Sequence, residues 1–414
     1  MRLAYLTTHF PFSSDFSHNE AFLEPEVRSL AKYVDALYVI ATRPKQRSSV
    51  FPDLGSTNIY MEAFGVATLA GAWREFVRHP ARVAAALGAV LLPRYRLIAK
   101  IKNLVLFPKA LALADTLRSL GVDHIHTQWL TTPGTTAYVA SRLTGIPWSC
   151  TAHQHDIFLD NLIPQKVASA QFVRVISERN RKHLIELVDP ASAERTCMIH
   201  LGVEIPEVYS PPVSRDRLEL LCAARLDPMK GHQYLLEALS RVVARGLEIH
   251  CTIAGEGVLR DRIRARIDAL GLGEVVTMRG AVPHAMLLRE LHTGMYDAVV
   301  IASTEKPGEH EGIPVAIMEA MASGVPCIST RTGSLEELID GDNGILVPQR
   351  DPAAMAEAIA RIAADPALRA RMGRLARARI VEQFHSARTT AQLYRLIVRG
   401  AERPDVVEPE LQLI

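Results

Sequence analysis

Three scarcities narrow the field before any motif is read. Cysteine is rare: Cys150, Cys197, Cys222, Cys251 and Cys327 are the only five in 414 residues. They are far apart, odd in number and form no C-x-x-C, which argues against a disulfide framework or a zinc site and fits a reducing cytosol. Charge of one sign is also lacking, since 47 Lys and Arg face 45 Asp and Glu for a net charge of +2. No nucleic-acid partner is demanded by so mild a balance, and any electrostatic argument must rest on local clusters. Long hydrophobic runs are missing too. The longest, Val83 to Leu92, is about half of the ~20 residues that span a bilayer and ends at Pro93. The opening run Leu3-Ala4-Tyr5-Leu6 is too short for a signal-peptide core and precedes no cleavage-site pattern. A cytoplasmic protein is expected, with no transmembrane segment.

What the chain does have is alternation. Short apolar runs (Leu3–Thr7, Ala36–Ala41, His124–His126, Ser149–Ala152 and Phe172–Ile176, then Leu218–Ala223, Ile249–Ala254, Val275–Met278, Ala298–Ala302, Pro326–Ser329 and Gly344–Val347) are separated by helical periods. Strands spaced by helices imply α/β architecture with parallel sheets covered on both faces. In 231–243, Tyr234, Leu235, Ala238, Leu239, Val242 and Val243 share one helical face, and Gly246 follows as a stop. The series pauses between Gly202 and Asp216, where Pro206, Pro211 and Pro212 interrupt regular structure. That pause divides the chain into domains 1–205 and 206–386, followed by a C-terminal helix and tail, 387–414, able to pack on either half.

Open α/β sheets bind ligands at the carboxyl ends of their strands, so the loops just after strands carry the interest. After Leu218–Ala223 comes Arg225-Leu226-Asp227-Pro228-Met229-Lys230-Gly231, two cations five residues apart in a loop that opens a helix. An Arg fork and a Lys point charge beside free helical N–H groups suit a diphosphate, although a solvated turn would have the same composition. Further on, Glu311 and Glu319 bracket seven residues. If helical geometry held throughout, they would lie about 80° apart around the axis and about 12 Å along it, which excludes a paired acid/base dyad and suits two ends of one extended ligand. Val315, Ala316, Ile317, Met318, Ala320 and Met321 leave Glu319 in apolar company, where a charge needs a partner.

Together these segments resemble the E-x7-E signature of the family 4 retaining glycosyltransferases. Arg225 through Lys230-Gly231 is similar to that family's R-x4-K-G phosphate element, Gly255-Glu256-Gly257 to its G-[DE]-G turn, and Met278-Arg279-Gly280-Ala281-Val282-Pro283 to its base-binding strand and loop. Glu311-Gly312-Ile313-Pro314-Val315, Met318 to Gly324 and Gly341 to Pro348 resemble the exopolysaccharide, colanic-acid-type branch. The resemblance implies the GT-B fold, two Rossmann-like domains facing each other across a cleft, the N-terminal one binding the acceptor and the C-terminal one the nucleotide sugar. It implies a UDP- or GDP-sugar as glycosyl donor and an oligosaccharide or lipid-linked hydroxyl as acceptor, with no metal or other cofactor. Thr151-Ala152-His153-Gln154-His155-Asp156-Ile157 looks like the branch's T-A-H-x-x-D-I loop. By that likeness His153, Arg225, Lys230 and Glu311 are the catalytic set, and Gly255, Gly257, Arg279, Gly312, Ile313, Pro314 and Glu319 contact the glycosyl donor. Asp156 would shape the acceptor side. His9 to Glu20 matches the branch's F-P-x-x-S-E-T-F motif only loosely, which leaves Ser13, Ser14 and Glu20 as acceptor-side candidates on a departing pattern.

The pairs His124/His126 and His153/His155 could suggest a metal, but no third ligand has zinc-like spacing. Asp340-Gly341-Asp342 formally reads D-x-D, yet a Gly/Asn-rich turn there predicts solvent-facing residues. Residues 73–109 combine Arg74, Arg78, Arg82, Arg94, Arg96, Lys100, Lys102 and Lys109 with Trp73, Phe76, Tyr95 and Phe107, against the single acid Glu75. Such a stretch suits peripheral association with the inner face of an anionic membrane, or else an ordinary helical pair with a solvated basic face. A non-hydrolysing nucleotide-sugar epimerase of the same fold and a catalytically idle assembly partner remain open alternatives. A dinucleotide oxidoreductase is disfavoured because no G-x-G-x-x-G follows the first strand of either half.

Overall fold

Parallel pairing follows from the alternation, because helical crossovers return each strand in the direction of the last and cover the sheet on both faces. The computed structural model describes residues 1–10, 20–44, 50–51, 55–159, 161–210, 215–306 and 311–400. Its first sheet contains β1 (Arg2–Phe10), β2 (Ala36–Pro44), β3 (Val50–Phe51), β4 (Ser56–Asn58), β5 (His124–Gln128), β6 (Trp148–Ala152), β7 (Val173–Val175) and β8 (Thr196–Met198). The order is β3-β4-β2-β1-β5-β6-β7-β8, and β3 with β4 is its antiparallel pairing. The second sheet contains β9 (Leu218–Ala223), β10 (Ile249–Ala254), β11 (Val276–Gly280), β12 (Ala298–Ile301), β13 (Cys327–Thr330) and β14 (Gly344–Val347) in the order β11-β10-β9-β12-β13-β14, parallel throughout. Each sheet is Rossmann-like. The order reverses between β1 and β5 in the first and between β9 and β12 in the second, the switch points at which such sheets open a crevice.

Chain contacts separate two compact units: β1, Leu23–Leu201 and residues 387–400 in the first, and residues 20–22 with Gly202–Ser386 in the second. The central strands are buried along their length, β12 as a continuous apolar run and β5 with polar side chains that pair inside. In the first unit Leu6, Leu113, Ile125, Val139 and Val173 belong to one apolar core, and in the second Leu220, Leu239, Ile253, Val300 and Ile359 belong to another. Full burial of each such side chain stabilises by about 1.5–3 kcal/mol. The last helix, Ser386–Gly400, joins the first unit, burying Leu393, Tyr394 and Ile397 in a cluster with Leu3, Tyr5 and Val27. No helix among the described residues is long and apolar enough to cross a membrane.

Candidate active site

The loop after β9 is shaped by its own residues. Asp227 caps the turn Pro228–Lys230 by accepting a hydrogen bond from the Met229 amide at 3.0 Å. Gly231 then adopts φ +61°, and a Cβ there would stand 1.9 Å from the Ala302 carbonyl oxygen, so only glycine lets this loop lie against the end of β12. The helix His232–Val243 starts immediately afterwards. Lys230, last in the turn, donates from Nζ to both carboxylate oxygens of Glu311, at 2.8 and 2.7 Å, and Ser303 Oγ donates to the same carboxylate at 3.2 Å. Their side chains are 12% and 14% exposed, enough shielding to make the pair stronger than a surface ion pair while leaving it open to a ligand.

Arg225 lies on the same loop but at the surface, two-thirds exposed and 3.1 Å from Asp227. Gly255 and Gly257 follow β10 with their backbones hard against the first loop: a Cβ at either would meet the Ala224 or Leu226 carbonyl oxygen at 2.0 or 2.5 Å. Gly312, Ile313 and Pro314 are not helical; the helix is Val315–Ala322, so the angular estimate for Glu311 and Glu319 does not apply. Pro314 disfavours helical geometry in Ile313, which is why the helix cannot reach back to Glu311. Glu319 sits among buried Ile317, Met318, Ala320 and Met321, and its Oε1 lies 2.7 Å from His284 Nε2, the partner that its apolar surroundings demanded. Arg279, expected to touch a ligand, commits its side chain elsewhere: both terminal nitrogens bond Glu290, at 2.6 and 2.8 Å, and one also bonds Tyr296 Oη at 3.1 Å. That hydrogen-bonded carboxylate holds the guanidinium proton more tightly than usual.

Within the first unit, His153 follows β6 at 4% exposure. Its Nε2 is 2.7 Å from Gln128 Oε1 at the end of β5, and its ring lies 4.0 Å from that of Trp129, which holds φ +77°. Burial, reinforced by the charge of Arg174, pulls the imidazole down to about 3 and keeps it neutral. Behind it runs a polar network that no sequence pattern announced: Gln128 Nε2 donates to Tyr5 Oη (2.7 Å) and Glu26 Oε1 (2.8 Å), Tyr5 donates to Glu26 (2.9 Å), and Glu26 pairs with the wholly buried Arg174. Asp156 is 1% exposed, and its carboxylate accepts from the Leu130 amide; burial pushes it up to about 7. It therefore anchors the 129–131 turn from inside. Glu20, which belongs to the second unit, is buried, while Ser13 and Ser14 lie outside the described residues.

His124 and His126 are buried against Ser149 and Thr151, with ring nitrogen to hydroxyl distances of 2.7 to 3.0 Å, and burial holds both rings down to about 3. Among the described residues no group of three or more His, Cys, Asp or Glu is arranged to hold a metal. Asp340 instead accepts from the amides of Asp342 and Asn343, an Asx turn. One cation and the single acid of the 73–109 stretch also change meaning. Lys109 is fully buried and donates to the carbonyls of Ala41, Thr42 and Met61, and Glu75 is buried beneath Arg118.

The two parallel-sheet units define an α/β fold of the GT-B type, with the Lys230–Glu311 pair at the switch point of the second sheet. Residues 210–379 match the family model described as "Glycosyl transferases group 1" and place that segment in the family. Over 173 residues the chain is 34% identical to WcaL of Escherichia coli (strain K12), named for colanic acid biosynthesis; the match covers 40% of this chain and 42% of that protein. It thus spans about two fifths of that relative's length. Amylovoran biosynthesis glycosyltransferase AmsK of Erwinia amylovora is 30% identical over 244 residues, 58% of each chain. Among solved structures, Anabaena Alr3699/HepE in complex with UDP superposes with a TM-score of 0.70 at 18% identity, over 96% of this chain and 100% of that one, a likeness of fold.

Proposed function

We propose that this chain is a retaining glycosyltransferase that moves a sugar from a UDP- or GDP-sugar to a hydroxyl of a growing, lipid-linked oligosaccharide in exopolysaccharide or cell-surface glycan synthesis. One observation carries the reading: Lys230 is held by Glu311, whose carboxylate Ser303 also bonds, on the same loop as the exposed Arg225 and at the reversal point of a parallel sheet. In the reaction the bond between the anomeric carbon and the diphosphate oxygen breaks while the acceptor oxygen bonds that carbon on the same face. The acceptor proton passes to the departing phosphate oxygen, so no separate base is required. Charge grows on the diphosphate, and preorganised cations there supply the largest catalytic effect. Lys230 and Arg225 provide two positive charges, which makes a metal ion unnecessary in this scheme. Glu311 keeps Lys230 in place until the anion arrives, and Glu319 accepts from ribose hydroxyls.

The glycosyl donor is tested by thermal unfolding with UDP- and GDP-sugars. A ligand at 100 times its dissociation constant stabilises by about 2.7 kcal/mol, which raises the midpoint by about 5–10 °C for a unit of this size. UDP-glucose, which HepE has been seen to bind, is the natural first probe. If no nucleotide sugar moves the midpoint, the proposal fails.

The lipid-linked acceptor finds support in the helices Val66–Arg78, Pro80–Leu91 and Leu97–Leu120. Large apolar side chains stand out from them, with Trp73 66%, Leu92 83%, Leu97 71% and Ile98 64% exposed, among exposed Arg94, Arg96 and Lys102. So large an apolar display on a soluble surface marks an interaction site, and the interleaved cations fit an anionic bilayer. The protein is expected to sediment with vesicles containing phosphatidylglycerol, and Leu97→Glu with Ile98→Glu to remain in the supernatant. Recovery of the wild type in the supernatant with and without such vesicles would exclude docking.

A further inference from the structure

The polar network behind His153 does more than fill space. Arg174 is fully buried and gives its guanidinium to three acceptors: the Glu26 carboxylate, the Ile199 carbonyl at 3.0 Å and the His200 carbonyl at 2.7 Å. Paired in this way, Glu26 acts as a pure acceptor, and its Oε1 faces two groups, the Tyr5 hydroxyl and one end of the Gln128 amide. Tyr5 gives its hydrogen to Glu26, so its oxygen is an acceptor for the same end of Gln128, 2.7 Å away. The end of an amide that meets two acceptors must be its NH2. Turning the amide over would set its carbonyl oxygen 2.8 Å from a carboxylate oxygen and lose both hydrogen bonds.

The orientation of Gln128 therefore follows from a charge pair on other elements of the fold. Its carbonyl oxygen faces His153 Nε2 at 2.7 Å, and a carbonyl can only accept. We propose that Gln128, oriented by Glu26, Arg174 and Tyr5, is a positioning residue that fixes His153 as the neutral tautomer with its proton on Nε2. Burial of the ring beside Arg174 is consistent with the neutral form. Arg174, Glu26 and the neutral His126 act on the ring through their charge, while Gln128 Oε1, an acceptor, stands within hydrogen-bond distance of Nε2. Nδ1 is consequently the acceptor nitrogen, and any group that meets it must bring a hydrogen. The role of His153 toward a sugar rests on the transferase reading; under that reading the imidazole selects for a hydroxyl and rejects a bare acceptor.

The test reads the tautomer directly, by long-range proton–nitrogen correlation spectra of the full chain labelled with nitrogen-15 in histidine. The wild type is expected to show a protonated, pyrrole-type Nε2 and a pyridine-type Nδ1 between about pH 5 and 8, through the range where an ordinary histidine titrates. Tyr5→Phe should leave that pattern intact, since Glu26 alone orients the amide. Gln128→Met, which keeps the volume and removes the acceptor, should raise the share of the Nδ1–H form about two- to tenfold, the worth of one hydrogen bond. A proton on Nδ1 in the wild type, loss of the pattern in Tyr5→Phe, or an unaltered tautomer ratio in Gln128→Met would each overturn the proposal. If Gln128→Met does not fold, the wild-type and Tyr5→Phe spectra still decide. No substrate enters the measurement, so a chain that binds no nucleotide sugar would refute the transferase reading and leave this one standing.

Discussion

Lys230→Ala is expected to lower turnover by about 10²–10³-fold, the loss typical of one electrostatic contact to a transition state. The size follows from where the lysine sits. Its side chain is only slightly exposed and its ammonium already oriented by Glu311, a carboxylate that Ser303 holds in turn, so little reorganisation is needed when charge appears on a leaving diphosphate. Arg225 is two-thirds exposed, its pair with Asp227 is screened by water, and its removal should cost less. Lys230→Arg is not conservative here, because a planar fork replaces a compact point charge that both Glu311 oxygens hold. Steady-state kinetics with the identified sugar nucleotide check the expectation, with the unfolding midpoint as control, since the variant leaves the Glu311 carboxylate with Ser303 alone. Turnover within about threefold of wild type, under 1 kcal/mol of barrier, would remove Lys230 from the chemistry.

The legible part of this molecule is its periodic part. Every run read as a strand, from Leu3–Thr7 to Gly344–Val347, overlaps one in the structure, with ends agreeing to within three residues, because strands buried on both faces are mostly apolar. His124–Gln128 is the exception, its buried polar side chains paired inside. Ser56–Asn58 and Thr196–Met198 went unread because three-residue strands toward the sheet edges need no apolar run. At the site, the cation at 230 and the carboxylate at 311 were found from their place after strands, and they do meet. Ser303 and His284 were overlooked, although Ser303 also follows a strand and the same rule could have found it. Lys109 misled because basic side chains usually face water, whereas here three carbonyls hold the ammonium inside. The network of residues 5, 26, 128 and 174 joins side chains far apart in the chain. No local period encodes such a meeting; only the completed order of β1, β5 and β7 produces it.

That network should also be where the first unit is most easily broken. Arg174→Leu is expected to destabilise it by about 3–5 kcal/mol, because the substitution leaves the Glu26 carboxylate buried without its counter-charge. Two carbonyls, at Ile199 and His200, lose their hydrogen bonds at the same time. The penalty comes from the partner left behind rather than from any large net value of the pair, so the double variant Arg174→Leu with Glu26→Leu should recover part of the loss. Urea unfolding of the three variants measures this, the two single changes and the double one forming a cycle with the wild type. A single-variant loss below about 1 kcal/mol would mean that water or a nearby group solvates Glu26 once the guanidinium is gone. A double variant no more stable than Arg174→Leu would mean that the unsatisfied carbonyls, not the carboxylate, carry the cost. The same carboxylate is the acceptor that orients Gln128, so the stability of this buried pair and the tautomer of His153 draw on one group.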